Sequence, residues 1–280
     1  MKKILIPVDF TVVAFNALKY AYKCFPDAHI TVVHIVPPSL NSSELKYSVL
    51  DRYMDVNDKM EEEVIGMICN ELGCGSLPDR MSVDIVKGEV VNKLKSYISE
   101  NSFDAIVMGT RDKYDLLDKV IGTVSLALVK TSDCPLYLIP RYASYNGFKK
   151  VMVASDQHLL DNEVGTRIKE WNKDHNAFIK FLHINRDNGD DDFSISETKL
   201  VNELFEGDQP TFGFEIDSIH AKNISKTLLE SAYGFGADLL VGMPDKQNFI
   251  TSLIYKSITK DLIQKSDIPL LFIHPLESII

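Results

Sequence analysis

The sequence predicts an α/β protein made of two tandem doubly wound domains, each a parallel sheet with helices on both faces. Three observations predict it. Lys2-Lys3-Ile4-Leu5-Ile6-Pro7-Val8-Asp9 returns as Lys149-Lys150-Val151-Met152-Val153-Ala154-Ser155-Asp156, and Ser132-Asp133-Cys134-Pro135-Leu136-Tyr137-Leu138-Ile139 returns as Ser266-Asp267-Ile268-Pro269-Leu270-Leu271-Phe272-Ile273. Between them, Asp104-Ala105-Ile106-Val107-Met108-Gly109 answers Asp238-Leu239-Leu240-Val241-Gly242-Met243. A repeat unit of about 140 residues is a domain, not a solenoid repeat. Finally, short apolar runs alternate with helical patterns, and most runs are continuous, as strands buried on both faces require.

In the first half the predicted strands are residues 3–8, 29–36, 81–86, 104–109 and 135–140. Thr11 is placed to cap a helix whose one face carries Val13, Ala17, Tyr20 and Ala21. In the long second connection Val49, Tyr53, Val56, Met60, Val64 and Met67 recur every three or four residues among Asp and Glu, which predicts an amphipathic surface helix. A third helix carries Val90, Val91, Leu94, Tyr97 and Ile98, and a fourth runs from about Thr123 to Lys130. Strands joined by crossovers of this length lie parallel. In the second half the strands are expected near 149–155, 177–184, 212–220, 238–243 and 268–274. Residues 186–211, with Asp190-Asp191-Asp192, read as an acidic loop and a short helix; the run lacks the ligand spacing of an EF-hand. The pattern breaks at 141–148, giving domains 1–142 and 147–280.

At 280 residues each half can bury its own core. Net charge is −10 and both halves are acidic, which argues against nucleic acid or an anionic membrane surface as partner. No run approaches the ~18–20 apolar residues of a membrane span. Met1-Lys2-Lys3 leads into too short an apolar run for a secretory signal, so a cytoplasmic location is expected. Cys24, Cys69, Cys74 and Cys134 form no CxxC pair and read as buried or idle thiols.

In an open parallel sheet, ligands sit beyond the carboxyl ends of the strands, where the winding direction reverses. Pro7-Val8-Asp9 and Met108-Gly109 fall there. Gly109-Thr110-Arg111-Asp112 is followed, nine residues on, by Gly122-Thr123-Val124-Ser125. A glycine at a strand end lets backbone approach a ligand, and Gly122-Thr123 opening a helix offers N–H groups, a hydroxyl and a positive helix end suited to phosphate.

On these residues the sequence resembles the universal stress protein family, specifically its tandem-domain members, over nearly the whole chain. ATP-binding members carry Gly-x2-Gly-x9-Gly-(Ser/Thr) after the fourth strand. The same spacing is present here with Asp112 in place of the middle glycine. Pro7-x-Asp9, Val86-x-Gly88 and Asp133-x-Pro135 match further signatures of the family. The resemblance implies flavodoxin-like (adenine nucleotide alpha hydrolase-like) domains with strand order 3-2-1-4-5. It implies an ATP or AMP site, with Mg²⁺, in the first half. Asp9 would bond the ribose or adenine edge, backbone near Ile35 would face the adenine, Gly109, Gly122, Thr123 and Val124 would surround the phosphates, and Pro7 and Met108 would complete the nucleotide-binding set. It also implies antiparallel pairing of the two final strands as an internal pseudo-dimer, with further homodimer formation left open. Asp112 opposes a triphosphate: unit charges ~4 Å apart interact by ~4 kcal/mol at an effective dielectric near 20, unless a divalent cation or outward rotation relieves it.

The second half keeps less. Met243 stands opposite Gly109, Lys256 opposite Gly122 and Ala154 opposite Pro7. Its site is expected to be degenerate, with Lys256 either gripping another anion or solvated. His34 and His183 occupy equivalent strand positions, which points to packing. His158 reads as structural. No catalytic residue is assigned: Gly-x-Ser-x-Gly, Walker, HExxH and Gly-x-Gly-x-x-Gly motifs are all lacking, so an enzymatic role amounts at most to slow ATP hydrolysis. Two functions stay open at this stage: a stress-response module binding adenine nucleotide, or a ligand-independent interaction protein with an unknown protein partner.

Overall fold

The computed structural model describes residues 1–38, 49–110, 123–132, 134–155, 162–185, 210–243 and 253–273. The chain divides into two compact units, Met1–Ser144 and Tyr145–Ile280. The first contains β1 (Lys3–Val8), α1 (Val12–Cys24), β2 (His29–Val36), α2 (Val49–Leu72), β3 (Met81–Lys87), α3 (Val90–Asn101), β4 (Ala105–Gly109), α4 (Thr123–Thr131) and β5 (Leu136–Ile139). Its strands lie in the order β3-β2-β1-β4-β5, all parallel. This is the order the resemblance implied.

The continuous apolar runs explain the position of each strand. Ile4, Leu5 and Ile6 are fully buried, as are Ile30, Val32 and Val33 beside them and Ile106 and Val107 on the other side. Burying such side chains is worth about 1.5–3 kcal/mol each. Helix α1 starts where Thr11 Oγ1 accepts the Ala14 N–H at 3.2 Å, satisfying one of the donors a helix start leaves open. Its inner face of Val13, Ala14, Ala17, Leu18 and Ala21 is buried against the sheet.

The second unit contains β6 (Lys150–Ser155), α5 (Asn162–Asn172), β7 (Phe178–Asn185), β8 (Phe214–His220), α6 (Ile224–Phe235), β9 (Leu239–Gly242), α7 (Leu253–Lys265) and β10 (Leu270–Phe272). The order is β8-β7-β6-β9-β10, again parallel, so the first strand is central in each unit. The register repeats too. Val8 lies opposite His34, and the equivalent Ser155 lies opposite His183.

Aspartates shared by the two halves act at the amino edge. The Asp104 carboxylate accepts the Lys3 N–H at 2.7 Å, and its own N–H donates to the Lys3 carbonyl at 2.9 Å. Asp238 does the same with two donors, the Lys149 and Lys150 N–H groups at 2.8 and 2.9 Å. Each therefore fastens the central strand to the start of its neighbour. The shared serines have a matching role: Ser132 and Ser266 donate to the carbonyls of Cys134 and Ile268 two residues on, shaping the turn into β5 and β10. These parts of the repeat signature serve the scaffold.

Candidate functional site

At the carboxyl edge of the first unit the sheet changes winding direction between β1 and β4. Their pairing covers Ile4–Ala105 and Leu5–Ile106 and stops there, short of Pro7 and Met108. In the second unit the corresponding strands stay paired as far as Ala154–Gly242. The pairing of the central strands is thus two residue pairs shorter in the first unit than in the second, at the place where open α/β sheets hold ligands.

Of the residues singled out from the sequence, Pro7, Ile35, Met108 and Gly109 lie at the carboxyl ends of β1, β2 and β4. Pro7 and Asp9 close β1, and Asp9 is exposed. The β1–β2 register places Val8 opposite His34, so Ile35, which is buried, follows at the level of Asp9. Met108 and Gly109 end β4, Met108 being largely buried. Thr123 begins α4 and Val124 follows it, half-buried. Gly122, Arg111 and Asp112 lie outside the described residues. So do Asp133, Asp156, His158 and the acidic run through Asp190-Asp191-Asp192.

The β1–α1 turn fixes Asp9. One carboxylate oxygen, Oδ1, accepts the Thr11 hydroxyl at 2.6 Å and the Thr11 N–H at 3.2 Å. Its other oxygen has no hydrogen-bond partner among the described residues. Between Asp9 and Thr11, Phe10 adopts a left-handed backbone with φ 62°, which for a bulky side chain costs about 1–3 kcal/mol. The Phe10 ring packs on His34 with centroids 4.3 Å apart, and His34 Nδ1 lies 2.9 Å from the Val8 carbonyl. Sequence reasoning saw Thr11 as a helix cap and His34 as a packing residue. It missed that Thr11 serves both the helix and Asp9, although Asp-x-Thr is the spacing of an Asx turn.

Gly109 shows a requirement the sequence did not reveal. A side-chain carbon there would lie 2.7 Å from both Val13 Cγ1 and the Val13 carbonyl oxygen. The close approach is made by the first turn of α1, so helix packing alone demands a glycine. In the second unit, Met243 occupies the equivalent position and is buried. Lys256, opposite Gly122 in the repeat, is half-buried in the first turns of α7.

A separate cleft of about 540 Å³ lies near the amino edge of the first unit, lined by residues including Lys95, Ser99, Phe103, Leu128 and Thr131. Its Ser99 and Thr131 hydroxyls donate to backbone carbonyls, so they do not recommend it as a second site. Among the described residues no group of three or more His, Cys, Asp or Glu is placed to hold a metal ion, and no helix is long and apolar enough to cross a membrane.

Comparison with known proteins bears on both the family and the fold. The sequence model of the Universal stress protein family matches residues 1–140. Two curated universal stress proteins of Methanocaldococcus jannaschii are 22% identical over 145 residues and 24% identical over 154 residues. These matches take in 50% of this chain and 82% and 95% of the respective relatives. A crystal structure of a universal stress protein from Archaeoglobus fulgidus matches the fold along almost all of both chains, 98% of this one and 97% of the other. The TM-score is 0.72 at 17% identity.

Proposed function

The chain belongs to the universal stress protein family, and on that footing we propose that its first unit is a stress-response module that binds an adenine nucleotide, ATP or AMP, at the carboxyl edge of its sheet. The observation that carries the reading is Asp9: one oxygen is pinned by Thr11, and the other is oriented with no partner among the described residues. A pinned carboxylate with a spare acceptor suits a ribose hydroxyl or the adenine amino group. Backbone near Ile35 supplies the adenine wall, beside Pro7 and Met108. Gly109, Gly122, Thr123 and Val124 supply the phosphate end, where free N–H groups at a helix start attract anions. Mg²⁺ would offset the Asp112 charge against the phosphates. The shorter pairing of β1 with β4 favours the first unit over the second as the site.

Isothermal calorimetry on the full chain with ATP and with AMP, each with and without Mg²⁺, tests this. Asp9→Asn keeps an acceptor for Thr11 but loses the charge, so it is expected to weaken binding roughly tenfold, about 1.4 kcal/mol. Gly122→Glu is expected to abolish binding, and Asp112→Gly to strengthen it. No heat at millimolar nucleotide with several divalent ions would overturn the reading and leave a ligand-independent interaction protein.

A further inference from the structure

The end of α2 carries chemistry that the nucleotide site does not use. Gly73 adopts a left-handed backbone with φ 67°. Its N–H donates to the Asn70 carbonyl at 3.4 Å, and the Cys74 N–H donates to the Cys69 carbonyl at 2.9 Å. That pair of bonds is the Schellman way of ending a helix. It brings together the side chain three places before the glycine's own cap and the one just after the glycine. In most helices two apolar side chains meet there. In this chain both are cysteines, tied together by the backbone bond from the Cys74 N–H to the Cys69 carbonyl. Both sulfurs are reduced and both residues are half-buried, within reach of solvent, whereas Cys24 is buried.

A disulfide forms readily only where the backbone already holds the two residues close with side chains facing, at Cα separations of ~4.4–6.8 Å. A backbone hydrogen bond between the two residues across the left-handed Gly73 holds them at the helix end and favours that geometry without rearranging the chain. The turn is fixed by Gly73 and by the helix before it, so the pair is preorganised rather than brought together by chance in a flexible loop.

We propose that Cys69 and Cys74 are a reversible thiol–disulfide couple, a site of oxidative modification whose oxidant is a low-molecular-weight disulfide of the glutathione type. The Cys74 thiolate attacks one sulfur of the oxidant, forming a mixed disulfide and releasing one thiolate. The Cys69 thiol then gives its proton to solvent and its sulfur attacks the Cys74 sulfur. The ring closes and the second external thiolate leaves. Two protein thiols lose two electrons and two protons, and one external disulfide becomes two thiols. The order of attack follows from Cys69: burial, and then the neighbouring Cys74, hold its thiol above the ordinary pKa. A thiol that keeps its proton is a poor first nucleophile and an adequate second one once the reaction is intramolecular.

The experiment uses the reduced full chain in its native state. It is exposed to glutathione disulfide, alkylated after unfolding, and mapped by peptide mass spectrometry. The expected result is joint loss of alkylation at Cys69 and Cys74, a linked peptide lacking two hydrogens, continued alkylation at Cys24 and Cys134, and full recovery with dithiothreitol. Cys69→Ser is expected to halt at the glutathione adduct on Cys74. Cys74→Ser is expected to accumulate the adduct on Cys69 roughly tenfold more slowly. Serine is close in size at a half-buried position, and circular dichroism checks that both variants fold. Persistent adduct on the wild-type chain without ring closure would overturn the proposal. So would pairing of either residue with Cys24 or Cys134, or unchanged alkylation at both.

Discussion

Replacing Gly109 by alanine tests the claim that helix α1, rather than a ligand, sets the need for glycine at the end of β4. The new methyl carbon would stand 2.7 Å from the Val13 carbonyl oxygen and 2.8 Å from its carbonyl carbon, where ordinary contact begins at 3.4 Å. Helix and strand must therefore separate by about 0.6–0.7 Å. The helix cannot shift freely. Val13, Ala14, Ala17 and Leu18 are buried beneath it, and the Asn16 side chain donates to the Pro140 and Ala143 carbonyls at 2.9 Å each. Overpacking against such constraints costs about 1–3 kcal/mol. For a unit of this size that lowers the melting temperature by roughly 3–9 °C. Urea and thermal unfolding of the protein without nucleotide read the loss. Gly66 is the internal control: it is exposed within α2 with nothing within 4 Å of its added carbon, so Gly66→Ala is expected to gain about 0.5–1 kcal/mol. A Gly109→Ala variant within ~0.5 kcal/mol of wild type would refute the packing argument.

Three further outcomes are expected. Asn172 is buried, and its side chain both donates to the Ala177 carbonyl at 2.9 Å and accepts the Ala177 N–H at 2.7 Å. Asn172→Ala orphans both groups and should cost about 2–4 kcal/mol in urea unfolding; a loss under ~1 kcal/mol would contradict it. Asp238→Ala removes the acceptor of two backbone N–H groups and Asp104→Ala the acceptor of one, so the former should destabilise more, by about 1–2 kcal/mol against ~1 kcal/mol. Equal effects would show that the second contact is idle. Asp261 is held below its ordinary value of 3.8, first by its hydrogen bond with Lys265 and then by that from Ser225. A lowered folded pKa means stability that is present above about pH 4 and is lost as pH falls through the folded value. Wild type should therefore lose stability below pH 4 relative to Asp261→Asn, and parallel pH profiles would exclude the linkage.

The strands were legible because continuous runs such as Ile4-Leu5-Ile6 and Ile106-Val107 have no other stable placement than a sheet buried on both faces. The internal repeat did the rest, since strands in matching places need only one topology. The strand boundaries shifted by a residue where a polar group caps the run: Asp104 and Asp238 precede β4 and β9 rather than starting them, because their side chains bond the neighbouring strand. That role depends on a partner about a hundred residues away and leaves no local trace. Gly109 was legible as a glycine with a purpose, but not as one facing Val13, because what approaches a strand end is decided by packing. The thiols read as buried or idle, and three of the four turned out half-buried. Cys69 and Cys74 are spaced as neither CxxC nor a metal pair, and only Gly73 between them signals the helix end that joins them by a backbone hydrogen bond. The motif around Asp9 was visible residue by residue, while its pinning by Thr11 required the left-handed Phe10 to become apparent.

The stitch between Lys3 and Asp104 has a bearing on how the chain is made. The partners are 101 residues apart, so the central strand leaves the ribosome long before one of its two flanking strands exists. At synthesis rates of ~5–20 residues per second that interval is roughly 5–20 s. Throughout it, an apolar segment has β2 as its sole lateral companion and one open side. The second unit repeats the delay on a slightly shorter span, 88 residues from Lys150 to Asp238. The edge that β4 or β9 will cover therefore stays open until each of these aspartates emerges, and only then can the central strand gain its second neighbour.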